Sequence, residues 1–456
     1  MQGSTASGEL PTLREELHRL WQLGAPVALT QLGAMSLNFV DILMVGRLGV
    51  LEFDAAALGY IWLFGTSIFG IGLVMGADPI LTQAHGAGDA PRVARTLQRA
   101  IVLACLVCIP IGSSWYFTED IMLAFGQDAA HAAAAQGYLE VQVWSLPCFF
   151  VFQALRQYLQ AQGVMRPGLW VVIVANLFNL GANWVLIWGH LGFPAMGLEG
   201  AGIATSSTRG FLVLGLIAWI LLHKLYADAW VPWSREAFDR QGLREIVVLG
   251  LPIALQYGLE GWAFQISGLM AGWLGQAELA AHTAVLNLAS ISFMMALGVS
   301  IGATTRVGNL IGMQRFEQAQ RSAWLAFAMG AAAMGLAGLC FVFGRELLPR
   351  MYNDDPSVIA LAAAILPVAA AFQIFDGAQC VGGGILRGMG RTRPAAVFNF
   401  MAYYVIALPL GWFLAFRMQL ALVGIWLGLA IGLGMAASLF LLWVKIRGPA
   451  WMGREG

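Results

Sequence analysis

No Asp, Glu, Lys or Arg falls between Asp54 and Asp78, Arg99 and Glu119, Arg321 and Arg345, Arg393 and Arg417, or Arg417 and Lys445. Each silent stretch is long enough to supply the roughly 20 residues that carry a helix across a ~30 Å hydrocarbon core. Scanned this way, the chain offers twelve spans, near 20–46, 55–78, 99–117, 136–160, 168–190, 198–222, 246–273, 279–303, 322–344, 357–386, 395–416 and 420–444. The alternating ten-residue strands of a membrane barrel are missing, so the reading is an all-α polytopic membrane protein. Composition agrees: 59% of residues are hydrophobic and 11% charged, against about 25% charged in soluble proteins. A formal net charge of zero leaves no basic surplus for nucleic acid. Soluble enzymes, secreted scaffolds and disordered regulators are excluded.

Short-loop Lys and Arg set the expected orientation. Arg92, Arg95, Arg99, Arg166, Lys224, Arg235, Arg240, Arg244, Arg306, Arg315, Arg321, Arg387, Arg391 and Arg393 share one side with the termini. The other side holds Arg47, Arg345, Arg350 and Arg417. Both termini are therefore expected in the cytoplasm. The polar start, with Glu9, Arg14, Glu15, Glu16 and Arg19, is no cleavable signal peptide; the first span itself directs insertion. Cys105 and Cys108 form a CxxC without a second pair or a histidine cluster, which favours packed or lipid-facing thiols.

The two halves repeat. Shifted by 226, Leu23, Gly24, Pro26, Ala28 and Leu29 fall on Leu249, Gly250, Pro252, Ala254 and Leu255, and the register runs on through Gly72/Gly298, Gly76/Gly302 and Arg95/Arg321. An even six spans per half gives both halves the same membrane orientation, as in transporters built from parallel repeats. The expected domains are a cytoplasmic segment 1–19, an N-lobe 20–222, a crossover 223–245, a C-lobe 246–444 and a tail 445–456. Pro26 and Pro252 each remove a helix hydrogen bond at equivalent depth and are candidate hinges. The Gly72/Gly76 and Gly298/Gly302 pairs read as close helix packing. Gly382-Gly383-Gly384 reads equally as a hinge or as close packing.

Carboxylates inside a membrane are costly and default to functional hypotheses. Asp41, Glu260 and Asp376 are the three, and they break the repeat: Asp41 aligns with Ser267, and Glu260 with Ala34. The competing reading is a structural ion pair with Arg156 or Arg209. Asn179 and Asn183, four apart on span five, share a helix face and offer amide oxygens to a cation or a hydrogen-bond network around Asp41; helix–helix glue is the other reading. His282 opens span eight as a satisfied interfacial group, with Asn287 five residues on.

Four stretches together resemble the multidrug and toxic compound extrusion family: Asp41-Ile-Leu-Met-Val-Gly-Arg-Leu-Gly, Ala281-His282 to Asn287, Asp376 to Gly390, and Gly424-Ile-Trp-Leu-Gly. The resemblance covers nearly the whole chain. It implies twelve helices in two six-helix lobes and cation-coupled export of bulky organic cations. It implies an N-lobe site at Asp41, Asn179, Asn183 and Thr205, and a C-lobe site at Glu260 and Asp376, which is typical of the NorM-like branch. Phe372, four before Asp376, stands where relatives carry a tyrosine, so a hydroxyl ligand is lost there.

The resulting expectation is an H⁺- or Na⁺-coupled antiporter working by alternating access in the cytoplasmic (inner) membrane. Asp41, Glu260, Phe372, Asp376 and Asn287 are expected to line the substrate cavity, with Glu260 and Asp376 able to hold a Na⁺. No cofactor is expected, the partners are small organic cations and the lipid bilayer, and the chain is expected to act as a monomer. Export of a lipid-linked or polyisoprenoid substrate is the alternative, but it calls for basic residues that the central spans lack. An intramembrane enzyme would need a nucleophile–base set, and an ATP-driven pump a phosphate-binding loop; neither can be read.

Overall fold

The computed structural model describes residues 12–225 and 231–455. Glu9 and the first eleven residues, together with 226–230 of the crossover, lie outside the described residues. Among the described residues every regular element is helical. Eleven helices are long and apolar enough to cross a membrane, and a twelfth span arises if one bent pair counts as a single crossing. The fold is the expected polytopic all-α one.

By packing, the chain forms two compact units. One holds α1 (Leu13–Val45) from Leu29 on, α2 (Val50–Val74), α3 (Ala77–Gly86), α4 (Ala90–Tyr116), α5 (Thr118–Ala124), α6 (Ala129–Val143), α7 (Leu146–Ala161), α8 (Arg166–Trp188), α9 (Gly197–Leu222), and α10 (Arg240–Leu274) up to Trp262. The other holds α1 up to Ala28, the rest of α10, α11 (Gln276–Gly312), α12 (Phe316–Phe343) and α13 (Pro356–Gly388). It continues with α14 (Thr392–Phe400), α15 (Leu408–Trp412), α16 (Ala421–Arg447) and α17 (Pro449–Glu455). So α1 and α10, which carry the paired prolines inside unbroken helices, each divide their packing between the two units.

The helix ends follow local chemistry. Asp89 and Asp355 cap α4 and α13 by accepting from Arg92 N at 3.0 Å and Ser357 N at 2.8 Å, each with a proline at the start of the helix. Gly189 ends α8 at φ 75°, where a Cβ would also meet Ala195 N at 2.5 Å, so only glycine fits. The span expected at 136–160 is two helices bent by 55°, because Pro147 withholds its amide at the start of α7. The span at 395–416 carries π-turns on either side of α15, which begins at Leu408-Pro409.

Glycine packing reproduces the repeat. In one unit a Cβ on Gly72 would meet Ala254, and one on Gly76 would meet Gly250 N at 2.6 Å. In the other, Gly298 meets Ala28 Cβ at 2.6 Å and Gly302 meets Gly24 N at 3.1 Å. The residues of the two contacts correspond under the shift of 226, so one close helix crossing is built twice. Gly382 and Gly384 lie inside continuous α13 and abut Phe440 and Ser300, as closely packed glycines do. Two described residues of the crossover are anchored: Gln98 Nε2 donates to Val231 O at 2.8 Å and Tyr158 OH to Leu225 O at 2.9 Å. All five cysteines are free thiols, and Cys108 bonds the Ala104 carbonyl of its own helix.

Candidate functional site

The first unit gathers a polar centre at depth between α1, α8 and α9. Asp41 is 8% exposed. Asn183 Nδ2 donates to its Oδ1 at 2.5 Å, and Thr205 Oγ1 donates to its Oδ2 at 2.8 Å. Asn183 Nδ2 also reaches Asn179 Oδ1 at 3.1 Å, and Asn179 Nδ2 reaches Thr208 Oγ1 at 3.3 Å. The i, i+4 spacing of the asparagines puts both on the face of α8 turned to α1. Asn176, a further turn back, donates to Gly33 O at 3.0 Å and holds α8 against α1. Four residues from distant parts of the chain thus converge as the sequence suggested.

Two features of this centre bear on its chemistry. Among the described residues no Lys or Arg pairs with Asp41 within 4 Å. Arg209 instead donates to Ser145 Oγ at 2.9 Å and lies over the Phe149 ring at 5.3 Å, and Arg156 donates to Gln31 Oε1 at 2.8 Å. The ion-pair reading of Asp41 therefore fails. The buried Asn183 Oδ1 has no hydrogen-bond partner among the described residues, so an unused oxygen lies beside a carboxylate already holding two donors. Oxygen ligands of this type suit a hard cation. Thr208 was not singled out by the sequence; its spacing of three from Thr205 was the available signal.

The other candidates are placed separately. Glu260, on α10, is 8% exposed within the first unit. In the second unit Asp376 on α13 is 3% exposed, and Gln373 one turn earlier donates to Ser292 Oγ at 2.8 Å. Phe372 is buried edge-on between Phe264 and Trp426, with ring centroids 6.1 and 5.6 Å away. Asn287 is exposed on α11. His282 departs from the satisfied interfacial group expected of it: it is 1% exposed, its Nε2 lies 3.4 Å from Ser267 Oγ, and its Nδ1 has no partner among the described residues. Ser267 is the repeat-equivalent of Asp41, so the second unit has a Ser–His contact where the first has an acid. Among the described residues no three His, Cys, Asp or Glu side chains cluster as metal ligands.

Comparison with known proteins reinforces both fold and repeat. The family model MatE matches residues 26–185 and again 252–413, two segments whose starts are 226 residues apart. The chain is 36% identical over 449 residues to "Probable multidrug resistance protein NorM" of Mesorhizobium japonicum, covering 95% of this chain and 94% of that one. It is 33% identical over 429 residues to "Multidrug and toxin extrusion protein 1" of Xenopus tropicalis, covering 94% of this chain and 74% of that one. The crystal structure of the eukaryotic MATE transporter AtDTX14 superposes with TM-score 0.88 at 24% identity, over 97% of this chain and 98% of that one. A multidrug resistance MATE transporter in an outward-facing conformation gives 0.87 at 16% identity, over 99% and 100%. An integral membrane chain with this fold, matched twice by one family model, is a member of the multidrug and toxin extrusion (MatE) family of transporters, which are not enzymes.

Proposed function

We propose that this transporter exports organic cations by antiport against H⁺ or Na⁺ through alternating access in the cytoplasmic membrane, as a monomer with both termini cytoplasmic. The observation that supports it is Asp41: a buried carboxylate held by Asn183 and Thr205, with no Lys or Arg in direct contact within 4 Å among the described residues. Such a group attracts whichever cation reaches it. A coupling ion and a cationic drug competing for it exclude each other, and that exclusion is the coupling. Energetics permit the exchange. Expelling a monocation against 100 mV costs about 2.3 kcal/mol, which one inward cation cancels. A tenfold ion gradient then leaves about 1.4 kcal/mol, enough for a tenfold drug gradient. Glu260 and Asp376 are two further coupling carboxylates in this reading, with Asn287 on the substrate path, Phe372 packed out of it between Phe264 and Trp426, and Pro26 and Pro252 as hinges.

The test is efflux of a fluorescent organic cation from proteoliposomes, under a Na⁺ gradient and separately under a pH gradient. One gradient is expected to drive efflux that Asp41→Asn abolishes. Efflux that ignores both gradients would overturn the antiport reading.

A further inference from the structure

A cleft of about 640 Å³ opens between α1 and α8, on faces that play no part in holding Asp41. Leu43 and Leu180 form its walls, 54% and 47% exposed. Gly181 leaves it open: a Cβ built there meets nothing within 4 Å. At the C-terminal ends of α1 and α8 it is closed by Trp184, Trp188 and Arg47. His190 stacks on Trp184 with centroids 3.9 Å apart and fixes the indole in place. The exposed Arg47 side chain makes no hydrogen bond or ion pair among the described residues.

The geometry points to a binding site for a single anionic phospholipid, its phosphate on Arg47 and one acyl chain along the cleft. Charge and polarity select this ligand. An apolar trough at membrane depth suits hydrocarbon, and tryptophans at one end mark the headgroup level. A guanidinium at that level is a fork for phosphate oxygens. The same charge repels the organic cations proposed as substrates, so the cleft is not their path. The inference therefore stands apart from the transport reading.

The test is titration of the purified protein in detergent with short-chain phosphatidylglycerol, short-chain phosphatidylcholine and glycerol phosphate, with bound species counted by native mass spectrometry. One phosphatidylglycerol is expected to bind about fivefold more tightly than phosphatidylcholine, the preference one cationic side chain supplies near the surface, and glycerol phosphate is not expected to bind. Arg47→Gln should erase the preference and Arg47→Lys should retain it. Gly181→Leu should fill the trough and weaken both lipids; Leu43→Phe gives the same readout should Gly181→Leu fail to fold. Equal affinity of wild type for the two lipids, a preference that survives Arg47→Gln, or displacement of the lipid by an organic cation would each overturn the proposal.

Discussion

Arg306 donates from Nε and Nη2 to the two carboxylate oxygens of Glu16, at 2.6 and 2.8 Å, and so ties the first turns of α1 to α11 across 290 positions of sequence. Glu16 is 2% exposed and the Arg306 side chain 14%. The pair has no repeat counterpart: the equivalent positions are Gly242 and Ile80. The glycine crossing beside it is duplicated, so packing is symmetric while the ionic tie is specific to one unit. The half-exposed pairs that hold the crossover to α4, Arg92–Glu245 and Arg95–Glu236, are of the kind that contributes little.

Removing one partner of a buried, bidentate pair strands the other charge, at a cost of about 3 kcal/mol or more. Glu16→Gln is therefore expected to lower the thermal midpoint in detergent by several degrees, with Arg306→Lys intermediate because an ammonium cannot fork. Arg92→Gln should leave the midpoint unchanged. Equal midpoints for Glu16→Gln and Arg92→Gln would refute the ranking.

Glycines separate into two classes by the space around them. Gly298→Ala places a methyl 2.6 Å from both Ala28 Cβ and Gly24 O and should destabilise, by about 1–3 kcal/mol as overpacking does. Gly210→Ala on α9 meets nothing within 4 Å and should stabilise, by up to about 1 kcal/mol through helix propensity. Thermal unfolding of the two variants in one detergent decides this, and a shift of the same sign in both would count against it.

Much of this is legible in the sequence. Charge-free runs set the spans because burying a charge in lipid is costly, and the repeat survives wherever helices must cross closely, as Gly72, Gly76, Gly298 and Gly302 do. Asp41, Asn179 and Asn183 could be named because polar groups at such depth need a reason, whereas Thr205 joined them only through the family resemblance. The division of α1 and α10 between packing units was not legible. Periodicity gives the face a helix buries but not the partner it meets, and Gly24 and Gly250 look alike in sequence. The break at Pro147 was visible as a proline and still missed, since an unbroken apolar run conceals a 55° bend. Arg209 is turned onto Ser145 rather than onto Asp41 by a hydroxyl 64 residues away, which no local pattern signals.

The grip on Asp41 can be graded. Thr205→Ser keeps the donor and should transport like wild type. Thr205→Val keeps the shape and loses a hydrogen bond to a charged group, worth about 1.5–3 kcal/mol, so gradient-driven efflux should fall roughly tenfold or more. Asp41→Asn should insert and fold normally yet abolish efflux. Matched transport in Thr205→Val and Thr205→Ser at equal expression would show the hydroxyl to be idle.

Glu260 and Asp376 are 8% and 3% exposed, on α10 and α13. Glu260→Gln and Asp376→Asn preserve shape and remove only the ionisable group, so folding should persist. If the carboxylates bind the coupling cation, each variant should still take up drug with an affinity within a few-fold of wild type, because apolar contacts are untouched. Accumulation against a gradient should nonetheless collapse, since a site that cannot exchange its cation cannot convert the ion gradient into work. Measuring drug binding and cation-driven efflux on the same preparations separates the two effects. Full efflux in both single variants would leave these acids as structural groups and rest the coupling on Asp41 alone.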